Sequence, residues 1–414
     1  MVLSTLTLPN DSFLPSPHRW EKIQDPHRIR KTALSALEQL LESFPDVQHI
    51  GVTGQMHGIV YLNKQGIPVS PLYTWQDGRG DLIATNKETY AELLHRITGY
   101  SVSTGYGLVT HYYQQQNHLV STEAVCFCTI HDYIAMLLAE MDTPVIDPTD
   151  AASLGLFDVE HGCFDFQALQ AVGINPSMLP VLSNNRQIGR YRGTIPVYTA
   201  IGDNQASFLG ATGGETNAML VNIGTGSQFS IYSHDYITCP GLETRPFPGG
   251  GYLLVGASLC GGRAYALLES FFRATAEMAG NRVDSCYDAM AQLLEGEMPA
   301  DLPIVSPLFQ GTRQDPLLRG SITGLSTENF TPRHLIWATL TGMASELAEM
   351  AGNFRHSRSE HSSLIGSGNG LRKNPFLQQA VANAFERSLT MSPYTEEAAC
   401  GAALFALQSC RTDN

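Results

Sequence analysis

Short apolar runs that end in glycine alternate with stretches of helical period in both halves of this chain, and that alternation limits the fold to the α/β class. In the first half, strands are predicted at Leu3–Leu8, Gln48–Thr53 and Ala124–Cys128. Gly58–Leu62 and Ile67–Val69 flank Lys64-Gln65-Gly66 as a hairpin. Asp25-Pro26 opens a helix to about Ser43, where Ile29, Ala33, Ala36, Leu37, Leu40 and Leu41 make one apolar stripe. Further helices are expected over Asp81–His95 and Ile130–Ala139, and a strand-like Ile195–Ile201 runs through Gly202-Asp203 into another. Later, Ala218–Ile223 and Gln228–Tyr232 read as paired strands and Ser363–Ile365 as a third. Helical patterns occupy about 262–279, 283–294, 332–352, 374–387 and 396–409. At 414 residues the chain exceeds what one core usually supports. Two domains are expected, 1–211 and 212–414, divided where Gly210–Gly214 precedes a fresh strand.

A formal net charge of −14 argues against nucleic acid or an anionic membrane as the partner, because both need a basic footprint. Nucleotide is not excluded, since backbone amides and a metal ion can hold its phosphates. The eight cysteines show no C-x-x-C spacing, which reads as reduced thiols rather than a zinc site or a disulfide framework. Met1–Pro17 lacks the basic-then-apolar pattern of a signal peptide. No apolar run approaches the roughly 20 residues that span a bilayer. The expected location is cytoplasmic.

Several short segments carry chemistry-bearing residues at turns. Gly54-Gln55-Met56-His57-Gly58 is either a plain hairpin turn with a core methionine or a close backbone approach to a ligand, with Gln55 and His57 offering hydrogen bonds. Thr74-Trp75-Gln76-Asp77-Gly78-Arg79 combines an aromatic face, an amide, a carboxylate and a guanidinium. Polyol recognition needs that set, while a surface loop with a local Asp77–Arg79 pair accounts for it equally well. Asp203, at the junction of a strand and a helix, is an N-cap or a carboxylate aimed into a cleft. Gly224-Thr225-Gly226 can cradle phosphate oxygens or simply close a hairpin. Gly366-Ser367-Gly368-Asn369-Gly370 is a second glycine-rich turn after a strand, and Gly401-Ala402-Ala403 gives the last helix a small face for close packing.

Taken in order with Ile130-His131-Asp132-Tyr133 and Glu397-Ala398-Ala399-Cys400-Gly401, these segments resemble the FGGY carbohydrate kinases over about residues 48 to 410. Thr74–Arg79, Thr129–Tyr133 and Gly366–Gly368 look more like sedoheptulokinases than xylulokinases. The resemblance implies two actin-like (ribonuclease H-like) α/β domains, sugar bound mainly by the first and ATP with Mg2+ in the cleft between them. It implies phosphorylation of a ketose, sedoheptulose first, with a xylulokinase-like enzyme or a sugar-binding remnant as alternatives. By the same resemblance Asp203 is the catalytic base, and Gln55, Met56, His57, Trp75, Asp77 and Asn204 match sugar-side positions, with Arg79 and Gln76 supporting that loop. Gly224, Thr225 and Gly226 match a phosphate loop, and Gly366, Ser367, Gly368 and Asn369 the adenosine site. Asp132 reads as structural, capping the helix that follows. No residue is assigned to a metal. Nothing before Leu3 matches the strand, Asp-x-Gly-Thr-Thr loop and strand that open intact members. The resemblance therefore implies a first domain short by roughly 30 residues, a strand pair of ordinary size, with weakened stability and catalysis.

Overall fold

The computed structural model describes residues 1–183, 186–312, 315, 317–354 and 363–412. The chain forms two compact units, one of Met1–Gly214 with Arg245–Gly251 and Glu396–Asn414, the other of Glu215–Thr244 with Tyr252–Thr395. A linear division at 211 thus misses two returns to the first unit. The final helix Glu397–Thr412 belongs there because its small face meets that of the helix Asp203–Thr212, with Gly401 against the Ala206 carbonyl and Gly210 against that of Glu397.

In the first unit the strand Val60–Leu62 pairs antiparallel with Cys126–Cys128. Alternate side chains of a strand face opposite ways, and here they feed two cores. Tyr61 and Phe127 join Leu94, Leu108, Val109 and Leu154 on one side, while Val60, Leu62, Cys126 and Cys128 join Tyr133, Met136 and Val197 on the other. Asp25 caps the helix Pro26–Ser43, accepting from the backbone N–H groups of His27 and Arg28. Thr53–Gly54 runs parallel to Ile201–Gly202, so both strands end at the same edge.

Two expectations fail locally. Leu3–Leu8 forms no strand. Asp81–His95 is not one helix: Ile83–Thr85 and Glu88–Thr89 make a hairpin turned by Asn86 and Lys87 at φ 45° and 73°. A Thr89–Glu92 capping box then starts the helix at Tyr90, and it ends at Thr98 before left-handed Gly99. The helices Gly107–Gln116 and Pro148–Leu154 were not anticipated.

The second unit carries a six-stranded sheet in the order Glu243–Pro246, Tyr252–Ser258, Ser227–Ser233, Ala218–Ile223, Ser363–Ser367, Leu389–Met391. Ala218–Ile223 and Ser363–Ser367 are adjacent and parallel. The long helix Pro332–Gly352, capped by Thr331, buries Ile336, Trp337, Leu340 and Leu347 among sheet residues Val221, Phe229, Ile231 and Leu254. No described helix is long and apolar enough to cross a membrane.

Candidate functional site

The parallel pair Thr53–Gly54 and Ile201–Gly202 delivers two expected segments to one edge of the first unit. From one strand leaves Gln55-Met56-His57-Gly58, and from the other Asp203 in the first turn of its helix. Met56 is buried against Gly202, and Gln24 accepts a hydrogen bond from the Gln55 amide at 2.8 Å. His57 adopts φ 73°, a left-handed conformation that costs a non-glycine residue on the order of 1 kcal/mol. It is held there from three directions. Its N–H donates to Ser153 Oγ (3.1 Å), Nδ1 donates to the Ser153 carbonyl (2.7 Å), and its ring stacks on Tyr106 at 4.5 Å. A carbonyl can only accept, so that bond puts a proton on Nδ1. Strain fixed this firmly is what a preorganised ligand contact requires.

Trp75 and Gln76 project from the next loop, with Trp75 52% exposed. The same loop turns Asp77 and Arg79 inward, so that Asp77 does not stand in the sugar-contacting place expected of it. Asp77 is fully buried, and its oxygens accept from Arg79 Nε (2.5 Å), Arg79 Nη2 (3.0 Å), the Arg79 N–H (3.1 Å) and the Lys22 N–H (2.9 Å). Glu21 adds a second carboxylate to the guanidinium at 3.3 Å, and Arg79 lies over the Tyr73 ring at 4.1 Å. A carboxylate with that many donors has no lone pair to offer a hydroxyl. Asp77 and Arg79 instead form the rigid base under Trp75.

Asp203 is the first residue of its helix and caps nothing; Gly202 holds the cap position without a side-chain bond. Solvent reaches its carboxylate, yet protein crowds it and pushes it above the ordinary carboxylate range. The charges of His131 and Arg245 oppose that push. Arg245 Nη1 donates to Asn204 Oδ1 at 3.0 Å, and the Gln205 amide donates to the Thr149 and Pro246 carbonyls at 3.2 Å each. Those bonds fix the helix start against both neighbouring segments.

Behind this edge lies a sealed polar cluster. His131 Nε2 forms an ion pair with Asp150 Oδ2 at 3.0 Å, and Thr129 Oγ1 donates to Asp132 at 2.7 Å. Thr129, not Asp132, caps the helix Ile130–Leu138. Burial would lower the His131 imidazole, but Asp150, Asp132 and Asp203 outweigh it and raise it to about 9. Burial would raise Asp150, and His131 instead holds it below the usual carboxylate range, while burial beside Asp150 keeps Asp132 well above it. Among the described residues these three form the one cluster of metal-ligand type, with donor atoms within 4.8 Å of one another. It does not suit magnesium, which takes oxygen ligands and keeps several waters, because it is closed to solvent and includes a nitrogen donor.

In the second unit the two glycine turns meet at the carboxyl ends of adjacent parallel strands, where α/β sheets bind ligands. Gly224-Thr225-Gly226 is fixed by the N–H groups of Gly262 and Arg263, which donate to the Gly224 and Thr225 carbonyls at 2.9 and 3.1 Å. Thr225 stands exposed at its tip. Ser367 Oγ accepts from Asn222 at 2.7 Å, and Gly368, at φ 87°, passes so close to the Ile223 carbonyl that a methyl group would lie 2.6 Å from it. Asn369 is exposed beside it.

Residues 2–210 match the N-terminal domain of the FGGY family of carbohydrate kinases, and 219–410 match its C-terminal domain. The chain belongs to the FGGY family. The mouse sedoheptulokinase is 30% identical over 425 residues, covering 93% of this chain and 86% of that protein. Among solved structures, xylulose kinase from Rhodospirillum rubrum superposes with a TM-score of 0.80 at 23% identity, covering 97% of this chain and 85% of that one. Glycerol kinase from Plasmodium falciparum with ADP gives 0.80 at 20% identity, covering 100% and 86%. This FGGY protein is therefore a two-domain α/β sugar kinase, with ATP as the phosphate donor of its family. Tyr106, Asp150, Ser153 and Arg245 escaped the sequence reading; Asp150, Ser153 and Arg245 stand outside any glycine turn, whereas Gly105-Tyr106-Gly107 was a signal left unread. Asp147-Pro148, an N-cap followed by proline at the first helical position, was the available signal for the helix holding Asp150 and Ser153.

Proposed function

We propose that this FGGY kinase phosphorylates a ketose, with sedoheptulose, giving sedoheptulose 7-phosphate, as the preferred acceptor. Asp203 takes the proton of the attacking hydroxyl, the hydroxyl oxygen bonds to the γ-phosphorus of ATP, and ADP leaves. Phosphoryl transfer asks the protein mostly for positioning and charge placement. A single well-placed, solvent-reachable carboxylate suffices as base. Met56, His57, Trp75 and Asn204 contact the sugar, and Tyr106 joins them through its stack on His57. The Gly224–Gly226 amides hold phosphate, and the Gly366–Asn369 turn receives adenosine. ATP enters as its Mg2+ complex, for which no protein ligand is assigned.

The observation that carries this reading is Asp203, at a strand end with Asn204 beside it and the strained His57 loop leaving the adjacent strand. Similarity to sedoheptulokinase over 93% of the chain supports the acceptor. The test is ATP consumption with sedoheptulose, D-xylulose, D-ribulose and glycerol. Sedoheptulose is expected to give the highest kcat/KM, and Asp203→Asn to reduce it at least ~10²-fold, the low end for a general base. A higher kcat/KM with D-xylulose would replace the acceptor. An active Asp203→Asn variant would remove the base.

A further inference from the structure

We propose that His131 is a positioning residue for phosphoryl transfer: a buried side chain, paired with Asp150 behind the Gly54–Gly202 strand pair, that holds Asp203 as a carboxylate and, through Asp150 and Ser153, ties it to the His57 loop. The inference rests on Asp203 being the base. His131 is 2% exposed and packs on Gly54, where a methyl group would lie 2.8 Å from its Cβ and 3.2 Å from Nδ1. Gly54 is the register partner of Gly202, the residue before Asp203. On the other side Asp150 meets His131 Nε2 at 3.0 Å and accepts from Ser153 Oγ at 3.1 Å, and Ser153 accepts the His57 N–H at 3.1 Å. One buried carboxylate therefore links the sugar-side loop to the cation beside the base.

A histidine on a buried helix is ordinarily a neutral core group satisfied by one hydrogen bond. His131 differs in what faces it. The titratable groups around it are Asp132 on its own helix, Asp150 on Pro148–Leu154 and Asp203 on Asp203–Thr212, with the Cys128 thiol on the preceding strand near both Asp132 and Asp150. Its Nε2 faces the Asp150 carboxylate at 3.0 Å, an ion-pair contact inside the protein. A cation in that place opposes the crowding that pushes Asp203 toward its protonated, inactive form.

The experiment is the pH profile of kcat/KM for His131→Gln and His131→Lys beside the wild type and Asp203→Asn. Removing the cation is expected to move the acidic limb up by about one unit, so that H131Q loses little activity at pH 8 and approaches a roughly tenfold greater loss only on the acidic side of the limb. H131K, with a fixed cation, is expected to recover the acidic limb. An H131Q profile lowered equally at every pH would reduce His131 to a packing role and overturn the proposal. Histidine Cε1 hydrogen exchange, followed by mass spectrometry of the peptide holding His131, reads the wild type alone and needs no variant to fold. The imidazole is expected to stay protonated through pH 8, and an ordinary midpoint near 6.5 would overturn the inference. Wild-type turnover by D203N would dismiss the base itself, an outcome separate from either His131 result.

Discussion

Substituting Gly401 by alanine tests whether the last helix sets the position of Asp203. A methyl group there would sit 1.8 Å from the Ala206 carbonyl oxygen and 2.6 Å from its carbon. Relaxed carbon–oxygen contacts lie near 3.3–3.6 Å, so the helices must part by roughly 1.5 Å. Overpacking of this kind costs about 1–3 kcal/mol. In a unit of this size each kcal/mol lowers Tm by about 2–4 °C, so a loss of roughly 2–12 °C is expected. The moving helix begins with Asp203 and Asn204. A displacement of about 1 Å at reacting groups costs on the order of 10²-fold in rate. The assay is kcat/KM with saturating ATP, paired with a thermal melt and the outward-facing control Ala403→Ser, expected within about 0.5 kcal/mol of wild type. If Gly401→Ala matches wild type in both rate and Tm, the helix contact does not position the base and the reasoning fails.

Three further outcomes follow from the same geometry. Arg79→Met strands the buried Asp77 carboxylate and is expected to cost about 3–5 kcal/mol by urea midpoint, whereas a surface pair would cost under ~1 kcal/mol. Trp75→Ala is expected to leave Tm within a degree or two while raising the KM for sugar several-fold and leaving that for ATP unchanged, because its indole is half in solvent and packs little of the core. His131 binds its proton more tightly folded than unfolded, so its contribution is full below about pH 6.5 and disappears as pH rises through about 9. Melts between pH 6 and 10 are expected to show a Tm fall in that window for wild type and a flatter curve for H131Q.

Local chemistry explains which parts of the molecule the sequence discloses. Asp25-Pro26 and Asn374-Pro375 announce helix starts because cap and proline act within one turn, and both helices begin there. Glycine turns were legible for the same reason, and Gly224–Gly226 and Gly366–Gly368 do close strand ends. Residues 81–89 misled because their apolar spacing fits a helix, while Asn86-Lys87 and the Thr89–Glu92 box, both shorter-range signals, decide the backbone. Asp77 was read as a ligand group, with Arg79 supporting its loop, because a sequence does not show burial. Their partners Lys22 and Glu21 lie more than fifty residues away. Arg245 and Asp150 reach Asn204 and His131 only through tertiary packing. No periodicity or spacing records such a meeting.

The return of the last helix to the first unit has a consequence for the order of synthesis. A ribosome emits residues 1–214 well before 396–414, yet both belong to one compact unit. The helix that begins with Asp203 therefore waits, its glycine face uncovered, until translation reaches Gly401. The second unit, Glu215–Thr244 with Tyr252–Thr395, is complete by Thr395 and can close first. Loss of residues 396–414 would thus strike the unit whose larger part is made first.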